Sequence, residues 1–250
     1  MNNIISNTGF FDNVSLFYDN LIDFEKALIK RKSALEKFAT GNVTHAADLG
    51  CGTGIDSISL SMHGINVTAF DASAGMIEQA ESNAYSYDQD INFTTSPIEE
   101  IPSTYYGKFQ LVISLGNTFA NLNNEQFSSA FNVIYNLLMP GGKFVIQTVN
   151  FNKLINDDER ILNITGRNDY YFVRFYDYLD SHINFNILRF SQTDPGDRNL
   201  LTTKLYNHTQ EHFKTEIEKA GLLNAQFYSG LDLSEFNTTK SKDLVITGIK

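Results

Sequence analysis

Ala-Ala-Asp-Leu-Gly-Cys-Gly-Thr-Gly is the sequence of residues 46–54. A short apolar run ends at the acid Asp48, and glycines then alternate over five positions. Glycine lets the backbone turn tightly and lets a ligand lie directly against main-chain N–H and C=O groups. The next apolar run ends at a second acid, Asp71, where a strand end can hold a ribose by its hydroxyl groups. The spacing predicts a strand, loop, helix and strand that bind a nucleoside.

The residues around the loop narrow the choice of ligand. The dinucleotide pattern Gly-x-Gly-x-x-Gly requires glycine at position 55, where this chain has Ile55. A carboxylate at Asp48 would repel a pyrophosphate and suits a ligand with an ammonium group. S-adenosylmethionine has an ammonium group, a ribose and an adenine, so we predict that it is the cofactor. Ile55 and Asp48 also disfavour an NAD-dependent dehydrogenase.

Composition excludes several classes of protein. The 250 residues, 42% of them hydrophobic, fit one α/β domain with an insertion. The formal net charge of −10 would repel nucleic acid and anionic lipid, so neither is an expected partner. The single cysteine, Cys51, excludes an internal disulfide and suits a reducing compartment. Residues 1–5 show no basic region before an apolar one, so we expect no secretory signal and a cytoplasmic protein. A homo-oligomer is possible.

Strands alternate with helices from residue 43 to residue 150, which predicts a parallel sheet covered on both faces. Aromatic and β-branched residues at 170–179 and 182–192 predict an antiparallel hairpin turning at Asp180-Ser181, with a further strand at 201–206 after the turn 194–197. The expected parts are an N-terminal aromatic lid and helix (1–42), a cofactor-binding core (43–150), an antiparallel cap (151–206), and a C-terminal helix with closing strands (207–250).

The N-terminal region carries helical periodicity. Apolar residues recur between Leu21 and Phe38 and predict one amphipathic helix. We expect the basic run 30–32 to form a solvated face of it. The aromatic residues before it, including Tyr18, are expected to lie as a lid over something apolar.

Together these features resemble the class I S-adenosylmethionine-dependent methyltransferases, most closely the glycine and sarcosine N-methyltransferase group. The resemblance rests on the strings at residues 51–58, 67–73 and 115–122, the last reading Leu-Gly-Asn-Thr-Phe-Ala-Asn-Leu. It implies a Rossmann-like fold: a mostly parallel seven-stranded sheet with helices on both faces, and a small antiparallel cap inserted after the fifth strand.

The resemblance also implies roles for residues. Tyr18 would lie near cofactor and acceptor, Asp71 would take the ribose hydroxyls, and Met76 would pack on the adenine. The other positions expected to contact the cofactor are Asp48, Gly50, Cys51, Gly52, Gly54, Ala72, Ser96, Pro97, Leu115, Gly116 and Thr118. Asn117 and Tyr206 match positions on the acceptor side.

Two departures from that group concern the acceptor. The arginine that grips the carboxylate of glycine aligns with Val149, and an isopropyl group cannot replace a bidentate charged grip. Within the string at residues 115–122, the position at which that group has a histidine is Asn121 here. Arg174, in the cap, is a possible substitute. Glycine as the acceptor is therefore in doubt.

We predict a methyltransferase that acts on a small molecule, with an amine nitrogen as acceptor. In-line displacement needs alignment of donor and acceptor rather than a protein nucleophile, and the sequence shows neither a catalytic triad nor a metal-binding pattern. Asn117 is expected to position the acceptor, with help from Tyr206. An oxygen acceptor stays open because His208 could act as a base, although a hydrogen bond near the helix start is the alternative role for His208. A non-catalytic cofactor-binding protein also stays open.

Overall fold

The computed structural model describes residues 4–180, 182–194 and 196–250. Met1, Asn2 and Asn3, where a secretory signal would begin, lie outside the described residues, as do Ser181 and Pro195 of the two predicted cap turns. The helices are α1 (Asn7–Ile22), α2 (Phe24–Leu35), α3 (Ile55–Ser61), α4 (Ala74–Ser86), α5 (Asn124–Leu137), α6 (Phe151–Asn156) and α7 (Gln210–Lys219). The strands are β1 (His45–Leu49), β2 (Asn66–Asp71), β3 (Asn92–Thr95), β4 (Phe109–Ser114), β5 (Leu138–Val149), β6 (Ile161–Arg167), β7 (Tyr170–Tyr178), β8 (Ile183–Ser191), β9 (Arg198–Leu205), β10 (Leu223–Tyr228) and β11 (Asp243–Ile249). No helix in these ranges is long and apolar enough to cross a membrane.

The main sheet has seven strands in the order β10-β11-β5-β4-β1-β2-β3. Strands β1 to β5 pair in parallel, and β11 runs antiparallel to β5 and β10. Since the chain leaves β1 toward β2 on one side and returns to β4 on the other, the strand order reverses beside β1. Open α/β sheets bind ligands at such a reversal, beyond the carboxyl ends of the strands. The predicted fold is confirmed.

The cap is a second sheet in the order β6-β7-β8-β9, antiparallel throughout. It follows β5 and α6, as expected of an insertion after the fifth strand. Strand β6 was not predicted, because residues 161–167 carry a glycine and three polar or charged side chains and face solvent at alternate positions.

The N-terminal region differs from the prediction. Instead of one helix beginning at Leu21, two helices meet at Asp23, whose φ of 59° stops the first and starts the second. The predicted lid is itself helical, because α1 buries Phe10, Val14, Phe17 and Leu21 at helical spacing. Its cluster with Met76 of α4 and Phe172 of the cap makes α1 the layer between core and cap.

The boundary between α5 and β5 lies ahead of a proline and two glycines. Helix α5 ends at Leu137, and Pro140-Gly141-Gly142 lie inside β5. The pairing of β5 with β4 shifts register between Phe109 and Leu111. Gly141 has a φ of 78°, a conformation typical of a bulge.

Aromatic residues hold the helix layer behind the site against the sheet. Phe213 of α7 is fully buried and its ring lies 4.9 Å from that of Phe127 and 5.8 Å from that of Phe119, centroid to centroid. Phe119 belongs to the short helical turn that follows β4. The cluster therefore supports the turn that carries the candidate acceptor residues.

We expect Phe213→Ala to lower the free energy of unfolding by about 3–5 kcal/mol, because it leaves a cavity among packed rings. Urea denaturation measures the change. The control is Tyr85→Ala, a large aromatic residue that is 89% exposed and whose loss should cost within about 0.5 kcal/mol. Equal losses for the two variants would contradict this account of the core.

Candidate active site

The loop after β1 forms a main-chain cradle. Gly50, Gly52 and Gly54 all have positive φ angles, and the N–H groups of Gly50 and Cys51 donate to the carbonyl of Phe70 at 2.7 and 3.0 Å. A Cβ on Gly50 would lie 2.3 Å from Cγ2 of Thr118. Thr118 reaches this position because its hydroxyl donates to the carbonyls of Gly50 and Leu115. The ends of β1, β2 and β4 are thereby held together at one point.

Asp71 lies where the cradle meets the start of α4. Its Oδ2 accepts from the N–H of Gly52 at 2.8 Å, and its Oδ1 accepts from the N–H of Ser73 at 2.9 Å. Burial raises the pKa of this carboxyl, and the two N–H groups oppose that shift. Ser73 in turn caps α4 through Met76 N–H.

Beneath the cradle lies a buried acidic cluster. Asp48 is 1% exposed; its Oδ2 accepts from Ser57 at 2.6 Å, and its Oδ1 has no partner among the described residues. Burial, with Asp56 and Asp71 nearby, raises the pKa of Asp48 to about 8. Burial also raises the pKa of Asp56, which the Arg31 guanidinium opposes. Asp48 and Asp56 thus share one arginine, with Asp71 nearby, and a bound cation would reduce the repulsion among the acids.

Most of the predicted site residues border one cleft of about 540 Å³. Those that line it are Tyr18, Gly50, Gly52, Asp71, Ala72, Met76, Ser96, Pro97, Gly116, Thr118 and Tyr206. Cys51 and Leu115 instead line an adjoining chamber of about 380 Å³, which shares Gly50 and Gly116 with the cleft. Burial raises the pKa of the Cys51 thiol well above its usual range, which suits a packed rather than a reactive side chain.

Two predicted cofactor residues border none of these spaces. Asp48 lies below the loop, so any effect on a ligand would act through its charge. Gly54 is the residue before α3, and a Cβ on it would lie 3.2 Å from the Cβ of Ala80. The lack of a side chain at Gly54 therefore lets the loop pack closely against α4.

Arg31 lies at the site although the sequence did not predict it as a site residue. This residue lines the adjoining chamber together with Lys30, its Nε lies 2.7 Å from Oδ1 of Asp56, and its Nη1 donates to Oε1 of Gln147 at 3.1 Å. The expectation of a solvated face at 30–32 is wrong for Arg31. Its ion-pair partner lies on α3 and its hydrogen-bond partner on β5, so no local pattern marks it.

A third chamber, of about 70 Å³, adjoins the cleft and holds the acceptor-side residues. Asn117, Asn121, Val149 and Arg174 line it, and Tyr18 and Gly116 lie between it and the cleft. Asn117 has a φ of 73°, and its buried Oδ1 has no partner among the described residues; the same holds for Oδ1 of Asn121. Both oxygens are shielded from solvent in the free protein.

The helix α1 closes the cleft from above. Asp12 accepts from the hydroxyl of Ser73 at 2.6 Å, which fixes α1 to α4. At its start, Asn7 donates to the carbonyl of Asn121 and accepts from the hydroxyl of Thr203. Core, lid and cap therefore meet at the mouth of the cleft. Tyr18 lines all three spaces, and burial raises the pKa of its phenol.

Tyr206 and His208 have different places. Tyr206 lines the cleft, and its N–H donates to the carbonyl of Ala120 at 2.8 Å. His208 borders none of the three spaces; its Nε2 lies 2.7 Å from the carbonyl of Leu122 and its ring stacks on Phe127. Burial lowers the pKa of His208 to about 4. This is a packed, neutral histidine with one ring nitrogen committed to a backbone carbonyl.

No group of three or more metal-binding side chains is formed by the part of the chain that the structure describes.

Comparison with known proteins agrees with this architecture. Residues 46–142 match a family described as a methyltransferase domain. Human glycine N-methyltransferase is 32% identical over 123 residues, covering 44% of this chain and 42% of the relative. The ubiquinone biosynthesis O-methyltransferase of Rickettsia akari is 33% identical over 106 residues, covering 42% of this chain and 40% of the relative. The chain thus matches less than half the length of these curated relatives.

Among solved structures, an S-adenosylmethionine-dependent methyltransferase from Clostridium acetobutylicum superposes with a TM-score of 0.79. It is 17% identical, and the alignment covers 96% of this chain and 98% of that one. At this identity the likeness shows the fold, including the cap. Residues 46–142 therefore match a methyltransferase domain, and the strand order and cap agree with the fold of that solved structure.

Proposed function

We propose that this protein transfers the methyl group of S-adenosylmethionine to an amine nitrogen of a small molecule. The observation that carries the proposal is a main-chain cradle held by Asp71 and underlain by the buried Asp48, next to a chamber lined by the amide side chains of Asn117 and Asn121. The first suits a cationic nucleoside, and the second suits an N–H donor.

The residues around the cradle fit this cofactor. A Cβ on Gly52 or Gly116 would meet nothing within 4 Å, so the space above both is open to a ligand. Asp71 can accept from ribose hydroxyls, and Met76 and Pro97 offer apolar surface for a base. Arg31, in the lining of the adjoining chamber, can bind the carboxylate of the methionine part of the cofactor. The bound cofactor would supply an electrophilic methyl group on a sulfonium.

The charges favour a cation over a neutral analogue. Asp56 and Asp71, joined by Asp48 when it ionises, leave excess negative charge against Arg31, and a low local dielectric strengthens their attraction for a positive ligand. S-adenosylmethionine carries a sulfonium that its product, S-adenosylhomocysteine, lacks. The cluster therefore favours the substrate form of the cofactor.

The acceptor chamber supports nitrogen rather than oxygen. A neutral amine is nucleophilic enough to form the new N–C bond as the S–C bond breaks and to lose its proton afterwards, whereas a hydroxyl needs a base to remove its proton during attack. His208, the base that the oxygen alternative would use, borders none of the three spaces. Asn117 would orient the amine by accepting one N–H, and positioning of this kind supplies much of the rate in a displacement. Enclosure beneath α1 and the cap, which excludes water, favours an enzyme over a binding protein.

We expect Asp71→Ala to raise the Kd of S-adenosylhomocysteine by at least about 10-fold, because hydrogen bonds to a charged group contribute about 1.5–3 kcal/mol. Isothermal titration calorimetry measures it. Glu78→Ala, which removes an exposed acid from α4, is the control and should bind as the wild type does. Binding of a nicotinamide nucleotide in place of both adenosyl compounds would refute the proposal.

We expect the affinity for S-adenosylmethionine, relative to S-adenosylhomocysteine, to rise between about pH 6 and 7.5. The raised pKa of Asp48 keeps it protonated in the free protein over this range, and a bound cation favours its ionised form. Binding the cation therefore releases a proton and tightens by up to about 10-fold per pH unit.

Calorimetry in buffers of different ionisation enthalpy counts the released protons. In Asp48→Asn, S-adenosylmethionine and S-adenosylhomocysteine should release the same number of protons on binding. Equal proton release with both ligands in the wild type would show that Asp48 does not sense the sulfonium.

We expect Asn117→Gly to lower kcat/KM by about 10- to 100-fold while leaving the Kd of S-adenosylhomocysteine unchanged, because misplacement of an acceptor by about 1 Å costs up to about 10²-fold. Glycine tolerates the positive φ at this position. The assay follows labelled methyl transfer to a panel of amino acids, amino sugars and simple amines.

The matched control is Asn168→Gly, which alters another asparagine of positive φ, exposed and outside the three spaces. Full activity of Asn117→Gly would remove Asn117 from the mechanism.

A further inference from the structure

Gln147 joins two parts of the site that come from different segments of the chain. It lies on β5, and its Oε1 accepts from Nη1 of Arg31 at 3.1 Å and from the N–H of Gly116 at 3.4 Å. Arg31 and Gly116 both line the adjoining chamber, and Gly116 also lines the cleft. One amide oxygen therefore contacts both the arginine of the chamber and the turn after β4.

The other end of the Gln147 amide faces a carboxylate. Asp243 lies on β11, the antiparallel neighbour of β5, and its carboxylate forms a side-chain hydrogen bond with Gln147. That bond opposes the rise that burial causes in the pKa of Asp243. An ionised carboxylate accepts hydrogen bonds and donates none. Asp243 therefore takes the NH2 group of the amide, which directs the amide oxygen toward Arg31.

Arg31 is thus held from two sides. Its Nε lies 2.7 Å from Oδ1 of Asp56 on α3, and its Nη1 donates to Gln147 on β5. Neither contact uses Nη2, and the Arg31 side chain is 22% exposed where it lines the adjoining chamber. Fixing a long side chain costs conformational entropy. An arginine already held by two partners loses less of that entropy when a ligand binds.

We propose that Gln147, oriented by Asp243, is a positioning residue that holds Arg31 in place for the carboxylate of the methionine part of the cofactor. This inference rests on the role of Arg31 in the proposed function. Gln147 and Asp243 border none of the three spaces, so they act on the ligand through Arg31. Without the amide oxygen, the guanidinium keeps its ion pair with Asp56 but can rotate, and it presents two parallel N–H donors to a carboxylate less often.

The first test compares S-adenosylmethionine with its decarboxylated analogue, which lacks the carboxylate and keeps the amine and the sulfonium. Isothermal titration calorimetry without an acceptor gives both Kd values. We expect the wild type to bind S-adenosylmethionine at least about 30-fold more tightly than the analogue. In Gln147→Met this preference should fall by about 5-fold or more, with little change in the Kd of the analogue.

The matched control is Gln226→Met, which alters an exposed glutamine on β10 of the same sheet. It should keep the preference of the wild type for the carboxylate. Equal weakening of both compounds in Gln147→Met would assign Gln147 to holding the turn after β4 and would overturn the proposal.

The second test is a double-mutant cycle that asks whether Gln147 acts through Arg31. Arg31→Met should remove most of the preference, and adding Gln147→Met should then lower it by less than about 2-fold. Multiplicative losses would show that Gln147 acts independently and would overturn the proposal. Because Arg31→Met leaves Asp56 without its partner, thermal unfolding checks the fold of each variant.

The third test changes Asp243 and leaves Arg31, Asp56 and Gln147 in place, so it remains decisive even where Arg31→Met does not fold. Asp243→Asn can still accept from the amide and should keep most of the carboxylate preference. Asp243→Leu removes the acceptor and should lower the preference by about 3-fold or more. Equal preferences in the two variants would refute the orienting role of Asp243.

Failure of this proposal differs from failure of the proposed function. Absence of binding of both adenosyl compounds to the wild type would refute the proposed function itself. Equal affinity of the wild type for both compounds would refute the role of Arg31, and with it that of Gln147. A carboxylate preference that Gln147→Met leaves unchanged would refute the role of Gln147 alone.

Discussion

The carboxylate of Asp71 is the group on which the site depends. Its two oxygens accept from the N–H groups of Gly52 and Ser73, which joins the loop after β1 to the start of α4. Ser73 also donates to Asp12 of α1. The Asp71 side chain therefore fixes the cradle and also orients Ser73, to which α1 is attached. The positions of the cradle and of α1, on opposite sides of the cleft, thus both depend on Asp71.

The molecule separates charge across its site. Asp48, Asp56 and Asp71 lie together at the core side, relieved only in part by Arg31, whereas Arg174 lies unpaired in the cap. No ion pair joins the two regions in the described part of the chain. The acidic side of the site suits a cationic cofactor, and Tyr18 lines both the cleft and the third chamber.

The predictions that succeeded depend on neighbours in the chain. Alternating apolar runs and glycines placed β1, β2 and β4 correctly, and their carboxyl ends brought most of the predicted cofactor residues to one cleft. The errors arose where distant packing decided the outcome. Residues 7–22 are helical because α4 and the cap cover their apolar side. Arg31 points inward because it forms an ion pair with Asp56 and donates a hydrogen bond to Gln147.

The sequence by itself determined the alternation of strands and helices in the core, the glycine cradle and the acid that ends β2, since strand periodicity, tight turns and strand ends are local properties of the chain. Only the tertiary structure decided that Asp48 lies beneath the ligand space, that His208 packs away from it, and that Arg174 shares a chamber with Asn117. The physical reason is that burial and the choice of charged partner depend on which surfaces meet, and a cap inserted between β5 and α7 meets the core at positions that no sequence spacing encodes.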